Sequence, residues 1–251
     1  QFNDCWGVCS WSSLDYYGNY KALQYRAKHF NAPVSVSVED KNKRVKMFIL
    51  NDKNESKRVT LKCKIFDFES GIIQEKSREF EVSALENKEC FTVYEKQLGA
   101  KYDLKKTGIK AELYENGELI NEKTYLFMPE KELLFKEPKL TLEARDEGDV
   151  ISVTVKSDIF ARLVRIESSL TTLPFSENYF DLLADESKTV TIKKDGKFSA
   201  EELMGSFSLK CANVLPSKST ELYDLKERAR VFLKPENIGQ WVYYGQKGRQ
   251  D

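Results

Sequence analysis

The sequence predicts a mainly β protein, in which two tandem immunoglobulin-like antiparallel β-sandwiches follow a short strand, a loop and one amphipathic helix. Apolar and polar residues alternate with a period of two through most of 34–215, which is typical of antiparallel strands with one buried and one solvated face. Turn residues separate these runs at the short spacing of a sandwich. The charged stretch 130–137 divides them, so we expect domains at 34–133 and 138–215.

Residues 1–33 precede the alternating region and end in a helical pattern. Four apolar residues recur there at steps of three and four, which places them in one stripe on a helix, and Pro33 ends the pattern. A helix this short needs a partner surface, so we expect a helix at about 20–31, packed on the first sandwich. The stripe consists of Tyr20, Leu23, Ala27 and Phe30.

The first sandwich, 34–133, is expected to hold about seven short strands. Its clearest local signal is Asn116-Gly117, a pair that is favoured in two-residue hairpin turns. The alternating or apolar runs lie at 34–38, 45–49, 59–65, 80–82, 91–93, 109–113 and 118–127.

The second sandwich, 138–215, repeats this design. Residues 147–149 and 195–197 predict turns, and Ser199 is a candidate N-cap for one helical turn. The tail, 216–251, is the least patterned part, with one helix-like run at 220–232. The strand-like runs of this domain lie at 140–142, 151–155, 163–166, 190–192 and 207–209.

Composition excludes several classes of function. The 251 residues carry 40 basic and 40 acidic side chains, and a neutral chain has no long-range field to attract nucleic acid or an anionic membrane. No apolar run approaches the roughly 20 residues of a membrane span. With a single histidine, His29, the sequence has no HExxH zinc motif, and we expect neither a metal nor a cofactor.

The five cysteines form no CxxC pair, and we interpret them as small buried hydrophobic residues. One disulfide, such as Cys63 to Cys90, is the alternative. The other three are Cys5, Cys9 and Cys211.

Two stretches resemble a known family. The strings QFNDCW at 1–6, SWSSLDYYG at 10–18 and KALQY at 21–25 resemble the β-mannosidase branch of glycoside hydrolase family two. In that family they mark the last strand of the TIM-type barrel, the loop after it and the final helix. FSENYFDLL at 175–183 resembles a strand-turn segment of the family's last immunoglobulin-like domain. The chain opens inside the first motif, so we interpret it as part of a longer polypeptide.

The resemblance implies a parent enzyme that removes terminal β-D-mannosides with retention. Such chemistry needs two carboxyl groups about 5 Å apart, which in the family are glutamates on earlier barrel strands. The first glutamate here is Glu39, already in the sandwich region. We therefore expect no catalytic residue in this chain; a pair made of Asp4 and Asp15 is the alternative.

The same resemblance implies three substrate-site residues. Trp6 would lie just past the last barrel strand and line the glycone subsite, while Asn3 and Asp4 would support the loop. The alternative is that Trp6 belongs only to a core. For Trp11 and the adjacent tyrosines Tyr16 and Tyr17 we expect packing. The expected partners are the upstream barrel of the same polypeptide and a β-mannoside.

Two other functions stay open. A stand-alone two-domain carbohydrate-binding or adhesion module would use exposed aromatic residues on a sheet face, but it would not need an orphan helix behind a Trp-rich strand. An exo-β-glucosaminidase would use the same C-terminal domains. The candidates for a sugar-binding face are Tyr94, Tyr102, Tyr114 and Tyr125.

Overall fold

A computed structural model describes residues 1–8, 10–194 and 196–214 of the chain. Cys9, Asp195 and 215–251 lie outside the described residues. Two predictions therefore lie outside the described residues: the tail with its helix at 220–232, and the first residue of the turn at 195–197. The described chain up to residue 213 forms one compact unit.

The first domain is an antiparallel sandwich of seven strands in two sheets. One sheet has the order β1-β2-β5 and the other β4-β3-β6-β7. Alternate residues of both sheets, such as Met47, Leu61 and Ile109, are fully buried between them, as the period of two predicts. The strands are β1 (Val34–Lys41), β2 (Arg44–Asn51), β3 (Lys57–Asp67), β4 (Gly71–Val82), β5 (Asn87–Tyr94), β6 (Thr107–Glu115) and β7 (Glu118–Leu126).

The predicted hairpin is present between β6 and β7. Asn116 and Gly117 have φ values of 52° and 86°, and a two-residue turn with two positive φ values matches the right-handed twist of the flanking strands. A short helix, α2 (Glu95–Gly99), follows β5.

The second domain is also an antiparallel sandwich, with sheets β12-β9-β8 and β11-β10-β13. Ser199 caps α3 as predicted, because its hydroxyl accepts a hydrogen bond from the Glu202 amide while the Glu202 carboxylate binds the Ser199 amide. The prediction of a mainly β, immunoglobulin-like fold is thus confirmed. The elements are β8 (Leu140–Asp146), β9 (Val150–Ser157), β10 (Ala161–Ser168), β11 (Phe180–Leu182), β12 (Ser187–Lys193), α3 (Ala200–Gly205) and β13 (Phe207–Lys210).

Aromatic rings join the two sandwiches. Phe66 and Phe68 at the end of β3 pack on Phe160 of the second domain, with ring centroids 4.8 and 5.0 Å away. The Phe160 amide donates to the Phe68 carbonyl at 2.7 Å. Phe135, from the charged connecting stretch, stacks on Phe68 at 5.1 Å. The connection is therefore packed into a shared core, and the domains are joined rigidly.

The expected barrel strand is not evident. The described residues within 1–21 form no β-strand and have two isolated bridges, in which Leu14 pairs with Asn3 and with Tyr20. A parallel barrel strand takes its hydrogen bonds from strands on both sides, and the described part of the chain supplies no such neighbours. Among the described residues this segment is a folded-back loop.

The predicted helix is present as α1 (Ala22–Phe30), but its position differs from the expectation. It contacts both domains: the Asn121 side chain of the first donates to the His29 carbonyl at 3.0 Å, and Tyr25 packs on Tyr179 of the second. Tyr25 is the buried residue of the helix, whereas Leu23 and Phe30 of the predicted stripe are exposed. Sequence periodicity identified which residues share a face but assigned that face the wrong partner.

Among the described cysteines the alternative disulfide is not formed. Cys63 and Cys90 are free thiols, and burial raises the pKa of each to about 11. Cys63 is buried and Cys90 and Cys211 are partly buried, in agreement with a packing role. For Cys5 the prediction of burial is wrong, because this residue is exposed on the loop before α1.

Candidate functional site

Asp4 is the centre of the folded-back loop. Its carboxylate is buried and accepts hydrogen bonds from the Ser10 hydroxyl and, at 2.5 Å, from the Lys21 ammonium. Lys21 also donates to the Ser12 hydroxyl at 2.8 Å, and the Asp4 amide donates to the Leu14 carbonyl at 3.2 Å. Asp4 thereby ties the start of the chain to the start of α1.

A second acidic residue closes the turn before the helix. The Asp15 carboxylate accepts from the Tyr17 amide at 2.9 Å and from the amide and side chain of Asn19, each at 2.8 Å. Gly18 follows with a φ of 83°, a left-handed conformation that favours glycine. This turn fixes where α1 begins.

Neither aspartate is suited to acid catalysis. The hydrogen bonds from Lys21 and Ser10 hold the pKa of Asp4 below its ordinary value. Desolvation opposes ionisation of Asp15, but the Asn19 and Tyr17 hydrogen bonds outweigh it and lower its pKa as well. A general acid of a retaining glycosidase needs a raised pKa, so the alternative pair of Asp4 and Asp15 is not supported.

The three predicted site residues occupy one short segment with different environments. Asp4 is buried, Asn3 is exposed and donates from its side chain to the Asp4 carbonyl at 3.2 Å, and Trp6 is 67% exposed. Trp6 is not part of a core in this chain. Its indole stands on a loop whose anchor, Asp4, lies two residues away.

Other aromatic residues of the loop are exposed too, against the expectation that they pack. The exposed fraction is highest at Trp11, and Tyr16 and Tyr17 contact each other edge-on at 5.1 Å. Packing requires an apolar partner, and the described part of the chain supplies none for these rings. Large exposed apolar surfaces are typical of interfaces.

The four tyrosines proposed for a sugar-binding sheet face do not form one. Tyr102 and Tyr125 pack against the first core, and the Tyr125 hydroxyl donates to Asp40 at 2.7 Å. The Tyr114 hydroxyl donates to Glu112 at 2.7 Å. Only Tyr94 is exposed, with the Arg44 guanidinium 5.8 Å from its ring centroid.

A buried charge cluster between the domains was not predicted from the sequence. Lys110 of β6 lies within 2.8 Å and 3.0 Å of the two carboxylate oxygens of Glu186 in the second domain, and 3.2 Å from Glu122 of β7. Lys188 of β12 donates a hydrogen bond to the Glu122 carboxylate at 2.6 Å. Desolvation opposes ionisation of Glu122, but Lys110 and Lys188 together lower its pKa to about 2.

Helix α1 has its own polar contacts with the second domain. His29 Nε2 lies 2.9 Å from Glu177, and Lys28 donates to the Ser176 carbonyl at 3.0 Å. Burial raises the pKa of the Tyr25 hydroxyl to about 12. These contacts hold α1 against the domains and leave Leu23 and Phe30 of its apolar stripe exposed.

Comparison with known protein families identifies both sandwiches. Residues 43–132 match the mannosidase Ig/CBM-like domain family, and residues 135–213 match a mannosidase Ig-fold domain family. The two matches follow one another along the chain in the order of the two sandwiches.

Curated relatives agree with this result. The chain is 27% identical over 217 residues to a β-mannosidase of Bos taurus, a match that covers 82% of this chain and 24% of the relative. It is 26% identical over 231 residues to β-mannosidase B of Thermothelomyces thermophilus, covering 78% and 25%. The chain thus spans about a quarter of the length of these relatives.

Solved structures show the same fold. A β-D-mannosidase from Dictyoglomus thermophilum superposes with a TM-score of 0.74 at 21% identity, over 86% of this chain and 26% of the other. An exo-chitosanase from Amycolatopsis orientalis superposes with a TM-score of 0.61 at 16% identity, over 84% and 29%. The expected resemblance to the C-terminal region of one glycosidase family is confirmed.

Proposed function

We propose, from the premise that this chain is the C-terminal immunoglobulin-like region of a β-mannosidase, that it is a non-catalytic brace for the catalytic barrel of the same polypeptide. The parent would hydrolyse terminal β-D-mannosides with retention. The observation that carries this proposal is that Leu23 and Phe30 of the α1 stripe stay exposed at a concave surface that the helix forms with both sandwiches.

The stripe argues for a partner outside the described residues. Leu23 and Phe30 are exposed on one side of α1, while Tyr25 anchors the helix to the second domain. Exposing such residues in water is unfavourable, by about 25 cal/mol for each Å² of apolar surface. A stand-alone adhesion module has no use for this surface, whereas a barrel that continues upstream would cover it.

The joint between the sandwiches suits a brace. The phenylalanine cluster at Phe68 and Phe160 and the ion pairs around Lys110 link the domains at two chemically different contacts. An apolar joint with buried ion pairs resists hinge motion, because bending it would separate charges in a low-dielectric environment. The brace would hold α1 and the loop before it at a fixed place.

Within the parent, Trp6 would form one wall of the glycone subsite, with Asn3 and Asp4 supporting it from behind. Trp6 projects from a loop fixed by the Asp4–Lys21 ion pair. An indole packs well on the C–H face of a pyranose, and a wall held by a buried ion pair would need no reorganisation when sugar binds.

Mutation of the full-length parent tests the Trp6 role. We expect Trp6→Ala to lower kcat/KM on an aryl β-mannoside about tenfold or more, equivalent to about 1.4 kcal/mol of transition-state binding. Trp11→Ala serves as the matched control and should lower thermal stability without this loss of kcat/KM. Unchanged kinetics for Trp6→Ala would exclude it as a subsite wall.

The non-catalytic assignment is tested on the chain itself. The 251-residue chain should not hydrolyse an aryl β-mannoside above the buffer rate, because double displacement needs one carboxylate as nucleophile and a second as acid. Hydrolysis that persists through purification and disappears in Asp4→Asn would overturn this assignment. An aryl β-glucosaminide assayed with the parent decides between the two glycosidase activities.

A further inference from the structure

A concave surface lies between the start of α1 and the second sandwich. This groove has a volume of about 410 Å³, within the usual range for small-ligand sites, roughly 300–1,000 Å³. Tyr25 and Asn178 are buried beneath it. Its walls come from the turn at Asn19, from β10 and the loop after it, and from Ser208 of β13.

The groove is rich in uncommitted hydroxyl groups. Those of Ser169, Thr172 and Ser208, together with the phenols of Tyr20 and Tyr179, make no hydrogen bond within the described part of the chain. A hydroxyl both donates and accepts. In contrast, the neighbouring Ser168 and Thr171 hydroxyls accept from backbone amides of their own turn.

The charges lining the groove compensate each other. Among the described residues that line the groove, the charged ones are Arg165 and Glu167, which form an ion pair. Glu167 also accepts from Lys210 at 2.7 Å. The Arg165 guanidinium lies 5.7 Å from the centroid of the Tyr179 ring. A paired donor and acceptor of this kind can exchange hydrogen bonds with vicinal hydroxyls.

Tyrosine rings in the groove are held in place. Tyr179 has a φ of 57°, a left-handed conformation that is uncommon for a side chain of this size. Asn178 stabilises it, because its side-chain oxygen accepts from the Tyr179 amide at 3.1 Å and from the Ile166 amide at 2.9 Å. Tyr20 leans edge-on against Tyr25 at 5.6 Å. The exposed Tyr20 ring and the half-buried Tyr179 ring are therefore held in position without a ligand.

We propose that this groove binds a neutral oligosaccharide. Ring faces at Tyr20 and Tyr179 would pack on pyranose C–H groups, and the free hydroxyls with the Arg165–Glu167 pair would exchange hydrogen bonds with sugar hydroxyls. That a β-linked mannoside is among the sugars bound rests on the proposed function. The groove residues by themselves indicate an uncharged ligand with many hydroxyl groups.

Titration of the isotopically labelled 251-residue chain tests this proposal by NMR. We add β-1,4-linked mannotriose and cellotriose in separate experiments and expect saturable amide shifts confined to 19–20, 25, 165–173, 175, 178–179 and 208 with at least one of them. Tyr20→Ala should weaken binding about fivefold or more. Tyr94→Ala is the matched control, since both tyrosines are 45% exposed, and it should bind as the unmodified chain does.

A second variant covers the case in which Tyr20→Ala perturbs folding. Ser208→Trp fills the groove from an exposed strand position and should abolish binding with unchanged thermal stability. The proposal is overturned when neither trisaccharide shifts the groove amides, when the shifts lie elsewhere, or when Ser208→Trp still binds. Hydrolysis by the parent is a separate measurement, so failure of the groove and failure of the proposed function are distinguishable.

Discussion

Lys110 and Glu186 form a two-pronged ion pair across the two sandwiches, with the Lys110 ammonium 2.8 and 3.0 Å from the carboxylate oxygens. Lys110 is buried and Glu186 also accepts from the Leu183 amide at 2.7 Å. The pair therefore connects β6 to the turn before β12. A buried ammonium is tolerated only where several acceptors surround it, and Glu122 supplies a further one.

Removing this ammonium should strongly destabilise the chain. In Lys110→Met the Glu186 carboxylate loses its ammonium partner and Glu122 keeps only Lys188. Breaking a buried ion pair by removing one partner costs about 3–5 kcal/mol. The matched control is Lys46→Met, because Lys46 and Glu89 form an exposed pair at 2.7 Å whose loss should cost at most about 1 kcal/mol. Urea unfolding measures both, and equal losses would show that the cluster does not stabilise the joint.

The same cluster predicts a pH dependence of stability. The pKa of Glu122 falls from its ordinary value of 4.5 to about 2 in the folded chain, so folding favours the ionised carboxylate. Its contribution, about 3 kcal/mol, is therefore fully present above the unfolded pKa and is lost as the pH falls from about 4.5 towards 2.

Comparing the chain with Glu122→Gln isolates this contribution. The difference in free energy of unfolding between the two proteins should be largest near neutral pH and shrink as acid protonates Glu122. A difference that stays constant down to the acid end of this window would mean that Glu122 is not held ionised by Lys110 and Lys188.

Gly108 on β6 should not tolerate a side chain. A Cβ there would lie 2.5 Å from the Cζ atom of Phe66, a fully buried ring of the joint between the domains. Because that ring is packed on Phe160, it cannot move aside freely, and Gly108→Ala should cost about 1–3 kcal/mol. Gly205→Ala has open space around it and should leave the melting temperature nearly unchanged. Similar melting temperatures for both variants would contradict this interpretation.

Local patterns in the sequence were sufficient for most of the fold. Alternation identified every strand except β11, which is buried at all three positions. Asn116-Gly117 identified a hairpin from turn chemistry alone, and Ser199 identified a helix start. The charge cluster could not be predicted in this way. Lys110 and Glu112 alternate with apolar residues of β6, a pattern that predicts a solvated face. In the structure this face is covered by the adjacent Lys64 and by the second domain.

The candidate site was predictable only as a motif. The resemblance singled out Trp6 and Asp4 but not the contacts around them, and the described structure places Asp4 in an ion pair with Lys21, seventeen positions along the chain. Periodicity likewise grouped Leu23 with Phe30 without showing which surface they face. Periodicity shows that one face of a helix is apolar, but it does not show which partner covers that face.

The exposed stripe of α1 predicts that the isolated chain self-associates. Leu23 and Phe30 lie on the side of the helix turned away from Tyr25, and the exposed rings of the preceding loop, Trp6 and Trp11, add to this apolar surface. Without the barrel that we propose as their partner, such residues should pair with those of a second copy. Sedimentation velocity of the 251-residue chain should therefore show a concentration-dependent fraction larger than a monomer.

One charged substitution distinguishes association through this surface from non-specific aggregation. Leu23→Glu should shift the chain towards the monomer, because dimerisation would then desolvate a carboxylate without a partner. Leu119→Glu on β7 is the matched control, since the two leucines are 42% and 44% exposed; it should sediment as the unmodified chain does. A purely monomeric chain, or an equal change in sedimentation for the two variants, would show that the stripe does not mediate self-association. In the parent, Leu23→Glu should instead lower thermal stability, because there the same side chain would be buried against the barrel.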